Sequence, residues 1–67
     1  MTDESKIIDV LQWVGVPLKM HDLYLICRAK YGPMPELREA VWALVADEVC
    51  ELTVDLKLKL YGGENEL

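Results

Sequence analysis

The sequence predicts one small α+β domain in which three helices are followed by a C-terminal β-hairpin. Apolar residues recur at helical spacing in three segments before residue 49. Glycine and proline separate those segments, and apolar residues then alternate with polar ones. The 67 residues suffice for one core. We therefore expect residues 1–61 to form a single domain and residues 62–67 to form a flexible polar tail.

The first helix is predicted to begin within residues 2–5, where hydroxyl and carboxylate side chains can cap free backbone amides. Gly15 ends this helix, and Pro17 prevents it from resuming. Residues 16–19 are then expected to form a short extended link. The face of the first helix that we expect to be buried contains Ile7, Val10, Leu11 and Val14.

The second helix is predicted from Met20 to Tyr31. Leu25 lies on the side opposite the expected core face, so this helix is apolar over a wide arc. We therefore expect it to be the central and most covered helix. Its predicted core face contains Met20, Leu23, Ile26 and Cys27, with Tyr24 and Tyr31 beside it.

The third helix is predicted from Pro35 to Glu48. Gly32 suits a left-handed ending for the second helix, and Pro35 suits the first position of the third. The negative charge of Glu36 is favourable at a helix N-terminus. The predicted core stripe contains Leu37, Ala40, Val41, Leu44 and Val45.

The last segment has the two-residue period of a β-hairpin with its turn near Asp55. Lys57 and Lys59 lie on the polar face, where they would discourage aggregation at the sheet edge. The apolar face is expected to contain Cys50, Leu52 and Val54 before the turn and Leu56, Leu58 and Leu60 after it.

Three stretches carry a family resemblance: residues 16–18 before the second helix, the turn at residues 32–35, and residues 37–45 leading into residues 51–55. Over residues 5–61 this pattern resembles the winged helix-turn-helix superfamily. The resemblance implies that the hairpin is the wing and that the third helix is the element placed in the DNA major groove. A short acidic chain of this kind also resembles small regulators of phages and mobile elements.

The charge of the chain is unfavourable for DNA. Twelve acidic residues oppose seven basic ones, for a net charge of −5. Arg38 is the one basic residue between positions 33 and 50, a segment that holds four acidic residues. Proteins that bind nucleic acid or anionic lipid through general electrostatics usually have the opposite sign. The sequence therefore favours a protein partner or a homodimer over DNA.

The expected function is a non-enzymatic regulatory or adaptor module that binds protein, or a second copy of itself, through the third helix. Trp42 lies off the core stripe, and large aromatic side chains are enriched at interfaces. Alternatively, Trp42 folds over the start of the hairpin near Val49 and extends the core. Trp13 and Leu25 also lie off their stripes. The predicted partner-binding residues are Glu36, Arg38, Glu39, Trp42 and Ala43.

The main alternative is a DNA-binding transcription regulator that uses the third helix and the wing. Its predicted contacts are Arg38, Lys57 and Lys59. A third possibility is DNA mimicry, if the carboxylates of the third helix are spaced like phosphates. DNA binding would be helped if basic residues near the second helix joined the wing lysines on one side; they are Lys19, His21, Arg28 and Lys30.

No pattern in the sequence indicates catalysis, a cofactor or a small-molecule substrate. A single histidine, His21, and two cysteines without a CxxC spacing do not predict a metal site. Cys27 and Cys50 are expected to be buried thiols. The longest apolar run is too short to span a membrane, and the polar N-terminus does not resemble a signal peptide. We therefore expect a cytoplasmic protein without membrane contact.

Overall fold

The fold is α+β, with three helices and a C-terminal hairpin, as predicted, and a short strand at residues 18–19 extends the hairpin into a three-stranded antiparallel sheet. It is known from a computed structural model that describes residues 2–61, so the predicted tail at residues 62–67 lies outside the described residues. No helix within residues 2–61 has the length and apolar character to cross a bilayer. The elements in chain order are α1 (Asp3–Val14), β1 (Leu18–Lys19), α2 (Met20–Tyr31), α3 (Leu37–Ala46), β2 (Cys50–Leu52) and β3 (Lys57–Leu60).

Helix α1 has the caps that its sequence predicts. The Oγ1 atom of Thr2 accepts a hydrogen bond from the backbone N–H of Ser5 at 3.0 Å. At the other end, Gly15 adopts a left-handed conformation (φ 81°) and its N–H donates to the carbonyl of Leu11. Both predicted limits of this helix are therefore confirmed.

The extended link before α2 contributes a strand to the sheet. Leu18 lies opposite Leu58, and Lys19 lies opposite Lys57. The strand order is β1-β3-β2, so β3 is the central strand. A two-residue strand is too short to show any periodicity, which is why the sequence predicted only an extended link here.

Helix α3 is shorter at both ends than the predicted span of Pro35 to Glu48. At its start, Pro35 and Glu36 lie in a turn closed by the Leu37 N–H, which donates to the Met34 carbonyl at 3.1 Å. At its end, Glu48 has a left-handed backbone (φ 62°). Its N–H donates to the Val45 carbonyl, and the N–H of Val49 donates to the Leu44 carbonyl. These two bonds form a Schellman motif, which ends the helix without a glycine.

The core lies between α1, the inner side of the sheet, and the other two helices. Helix α1 packs against α2, α3 and β3, so α1 is the central helix. The expectation that α2 is the most covered helix is wrong, because Leu25 is 45% exposed and only Leu23 and Cys27 of α2 are fully enclosed. The buried residues are Ile7, Val10, Leu11, Leu18, Leu23, Cys27, Met34, Leu37, Ala40, Val41, Leu44, Cys50 and Leu58.

The hairpin is shorter than its alternating pattern suggested. Val54 and Leu56, predicted on the apolar inner face, lie in the turn and are exposed. The turn closes early because the Leu56 N–H donates to the Thr53 carbonyl, and the Thr53 N–H donates to the Lys57 carbonyl. Leu56 has a left-handed backbone (φ 63°), which breaks the two-residue alternation at this position.

Candidate functional site

The outer side of α3 is divided into two surfaces. Leu37, Val41 and Leu44 pack inward, and α3 contacts both α1 and β2 through this stripe. Arg38 and Trp42, one helical turn apart, lie on the flank toward β2. The other three predicted partner-binding residues, Glu36, Glu39 and Ala43, lie on the flank toward α1 or near it.

The flank toward β2 contains a small apolar depression. Met20, Val41 and Leu52 line it together with Arg38 and Trp42, and its volume is about 180 Å³. Met20 comes from the start of α2 and Leu52 from the end of β2, so three elements meet here. We call these five residues the Trp42 surface. It presents an aromatic ring, apolar walls and one guanidinium.

Trp42 is 55% exposed. The alternative interpretation, that it extends the core by folding over Val49, is therefore wrong. Trp42 lines the same depression as Leu52, at the end of β2. Val49 lies before the start of β2 and is itself exposed. The ring thus remains available for contact along much of its area.

The flank toward α1 is acidic. Glu36 and Glu39 border a shallow depression together with Asp3 and Glu4 from the first turn of α1. Each carboxylate lies in or just before a first helical turn, where the helix dipole favours a negative charge. The predicted acidic character of α3 is therefore reinforced by a second helix, which the sequence of α3 alone did not indicate.

The lysines predicted for the DNA alternative lie on the outer face of the sheet. Leu58 of β3 points into the core, so Lys57 and Lys59 on either side of it point outward. Lys59 Nζ lies 3.3 Å from Glu51 Oε2, and Lys57 Nζ lies 3.7 Å from Asp55 Oδ2. Both of these charges are thus partly neutralised within the chain.

The basic residues of α2 do not all join the wing lysines. Lys19 faces Lys57 across the sheet. Lys30 instead lies beside α1, where its Nζ is 2.9 Å from Asp9 Oδ2 and 5.0 Å from the centre of the Trp13 ring. The charge of Lys30 is therefore engaged by α1 rather than added to the wing lysines.

The hairpin turn exposes two apolar side chains that sequence reasoning placed in the core. Val54 and Leu56 project from a turn that Thr53 stabilises: its Oγ1 accepts from the Lys57 N–H at 3.0 Å and donates to Asp55 Oδ1 at 2.9 Å. The side-chain hydrogen bond to Thr53 is the main cause that lowers the pKa of Asp55. The predicted position of the turn, near Asp55, is confirmed, and the Thr-x-Asp spacing is the sequence signal that could have shown that Val54 and Leu56 belong to it.

The titratable groups do not form a reactive cluster within residues 2–61. No group of three or more His, Cys, Asp or Glu side chains there is arranged to hold a metal ion. His21 is exposed, near Arg38 and Tyr24. Cys27 and Cys50 are buried, as predicted, and both are free thiols. Burial raises the pKa of both thiols, that of Cys50 to about 11, which keeps them protonated and weakly nucleophilic.

No protein-family model, no curated protein and no solved structure matches this chain.

Proposed function

We propose that this chain is a non-enzymatic regulatory or adaptor module of winged-helix type, which binds another protein through the Trp42 surface. The order helix, strand, helix, helix, strand, strand and the single three-stranded sheet are compatible with a winged-helix layout. In this proposal, α3 is the contact helix and the hairpin is the wing. The partner binds by shape and apolar contact rather than by phosphate attraction.

The observation that carries the proposal is the exposure of Trp42 beside an apolar depression. Tryptophan and arginine are, with tyrosine, the residue types enriched at the energetic centres of protein interfaces. Here Trp42 is 55% exposed and shares the depression with Arg38. Arg38 has no ion-pair partner within residues 2–61, so its guanidinium is available for a carboxylate of the partner.

The surrounding charges favour a protein over DNA. Glu36 and Glu39 lie on the other flank of α3, beside Asp3 and Glu4. Duplex DNA that docked along α3 would bring phosphates toward these four carboxylates. A protein with basic residues around an apolar centre would be attracted by them, so we infer that the partner carries such a basic rim.

The proposal is tested by placing a photo-crosslinking amino acid at Ala46, an exposed position one helical turn beyond Trp42, so that the Trp42 ring is kept, and irradiating the purified chain in extract from the cells that make it. We expect a discrete crosslinked protein, which excess native chain competes away and excess Trp42→Ala chain does not. The same crosslinker at Gln12, an exposed site on α1 that does not line the depression, is the matched control. Equal competition by the Trp42→Ala chain would contradict the proposal.

The Trp42→Ala variant is a fair probe only if it folds. Because the ring is more than half exposed, we expect its loss to reduce the free energy of unfolding by no more than about 1 kcal/mol. Removal of a fully buried large side chain costs roughly 3–5 kcal/mol. Urea unfolding separates these outcomes, and a loss in the second range would mean that Trp42 supports the fold rather than a partner.

A DNA-binding regulator remains the second candidate, because Lys19, Lys57 and Lys59 share the outer face of the sheet. A duplex titration at about 50 mM salt, read by Trp42 fluorescence in a Trp13→Phe background, tests it. Saturable quenching, with a salt slope that falls by about one in Lys57→Ala, would favour DNA. No response up to about 10⁻⁴ M would exclude the general affinity that such a regulator needs.

A further inference from the structure

A second apolar surface lies on the side of the molecule formed by α1 and α2. Trp13 of α1 and Leu25, Ile26 and Ala29 of α2 surround an open groove of about 580 Å³, with Lys30 at its edge. Trp13 is 68% exposed and Leu25 is 45% exposed. We call these five residues the Trp13 surface. It shares no residue with the Trp42 surface.

The Trp13 surface is held in place before any partner arrives. Lys30 Nζ lies 5.0 Å from the centre of the Trp13 ring, within the range of a cation–π interaction. The same Nζ lies 2.9 Å from Asp9 Oδ2. Lys30, itself paired with Asp9 of α1, therefore restrains the indole, which reduces the conformational entropy that binding would otherwise remove.

The charges along α2 make this surface complementary to itself. Asp22 lies in the first turn of α2, and Arg28 and Lys30 lie in its last turn. Asp22 and Arg28 are exposed and have no ion-pair partner within residues 2–61. When two copies of α2 lie antiparallel about a two-fold axis near position 27, Asp22 of each lies about one helical turn along the helix axis from Arg28 of the other, so these opposite charges attract. The two helix dipoles also oppose each other favourably.

The sizes of the side chains fit the same arrangement. Leu25 and Ala29 are one turn apart on the exposed side of α2, the first large and the second small. A two-fold axis midway between them places Leu25 of one copy against Ala29 of the other, twice. Large and small side chains then interdigitate across the axis instead of colliding.

We propose that the Trp13 surface binds a second copy of this chain, to form a two-fold dimer in which the two α2 helices pack antiparallel. The groove is open, and the apolar area that it offers is modest. We therefore expect a dissociation constant in the micromolar range, about 10⁻⁶–10⁻⁴ M, typical of a transient dimer. Each protomer keeps its Trp42 surface free, so the dimer would present two copies of the proposed partner site.

Sedimentation equilibrium from about 1 μM to about 1 mM tests the dimer. We expect Leu25→Ala, which leaves two small residues facing each other, and Ala29→Leu, which makes two leucines collide, each to weaken association at least tenfold. An equimolar mixture of the two variants should associate like the native chain, because each contact then pairs one leucine with one alanine. A mixture that stays monomeric would overturn the antiparallel arrangement.

Two further variants separate this proposal from the function proposed for α3. Asp22→Lys should weaken the dimer, and the effect should diminish in high salt because exposed charges are screened. Trp42→Ala should leave the dimer unchanged. A dimer that is lost in Trp42→Ala but retained in Leu25→Ala would place self-association on α3 and overturn the proposal, as would a native chain that remains monomeric at about 1 mM.

Discussion

The hydroxyl of Tyr31 donates a hydrogen bond to Oδ2 of Asp9, which joins the last residue of α2 to the outer side of α1. Lys30 Nζ contacts the same oxygen at 2.9 Å. A single half-buried carboxylate therefore holds the end of α2 against α1 at the rim of the core. Lys6 adds a cation over the Tyr31 ring, at 5.5 Å from its centre.

The contacts of Asp9 with Tyr31 and Lys30, which we call the Asp9 clamp, predict an acid-sensitive contribution to stability. The Tyr31 hydrogen bond, followed by Lys30, lowers the pKa of Asp9 below its ordinary value of 3.8. Because the pKa of Asp9 is lower in the folded state, the contribution of its carboxylate to the free energy of unfolding is complete above the ordinary value of 3.8. It is lost as the pH falls through the lower, folded-state pKa. Urea unfolding between about pH 2 and pH 6 should therefore show a steeper acid loss for the native chain than for Asp9→Asn. Parallel curves would contradict the clamp.

The same contact predicts an alkaline titration. The bond to Asp9 and partial desolvation raise the pKa of Tyr31 from 10.0 to about 12. Because this pKa is raised in the folded state, the contribution is complete below pH 10 and is lost as the pH rises through about 12. Tyrosinate absorbance should show one tyrosine titrating late. Tyr31→Phe should remove that step, and Asp9→Asn should move it to lower pH.

Neighbouring leucines of α2 should differ sharply in their contribution to stability. Leu23 is fully buried, so Leu23→Ala is expected to reduce the free energy of unfolding by about 2–5 kcal/mol. Leu25 is exposed, and Leu25→Ala should change it by no more than about 0.5 kcal/mol. Urea unfolding at low micromolar protein concentration measures both without a contribution from self-association. Similar losses in the two variants would contradict the orientation of α2.

The two thiols should be unreactive in the native protein. Cys27 and Cys50 are buried, and their raised pKa values leave little thiolate at neutral pH. We expect alkylation to follow global unfolding, with both thiols labelled together as urea is added. Rapid labelling of either cysteine in native buffer would show that its side of the core opens locally.

Replacing Leu56 by a residue that tolerates a left-handed backbone should stabilise the hairpin turn. Leu56 has φ 63° and an exposed side chain, so its strain is not offset by packing. Leu56→Asn is expected to raise the free energy of unfolding by about 0.5–1 kcal/mol, since asparagine visits this conformation readily. Val54→Asn is the matched control, exposed in the same turn without a left-handed backbone, and should change it little.

Much of the fold was predictable because its signals are local. The Thr2 cap, Gly15, and the helical spacing of Ile7, Val10 and Leu11 are enough to define α1, and the bounds of α2 match its prediction. The two-residue alternation likewise indicated both hairpin strands. Each of these signals depends on neighbours a few residues away, where backbone sterics and hydrogen bonding decide the conformation.

The candidate site was predictable only in part. The off-stripe position of Trp42 and its spacing from Arg38 follow from helix geometry. The depression beside them does not, because Met20 and Leu52 arrive from distant segments. The exposure of Val54 and Leu56 was predicted incorrectly, since alternation does not show how many residues on either side of Asp55 belong to the turn.

The sequence by itself determined the α+β class, the three helices, the two hairpin strands and the acidic character of α3, all of which depend on composition and short-range periodicity. Only the tertiary structure decided that α1 is the central helix, that residues 18–19 become a strand, and that Trp13 and Trp42 lie on separate surfaces. These outcomes depend on how elements far apart in the chain share one small core. All the apolar faces compete at once for one small core, and no local pattern shows which face will be buried.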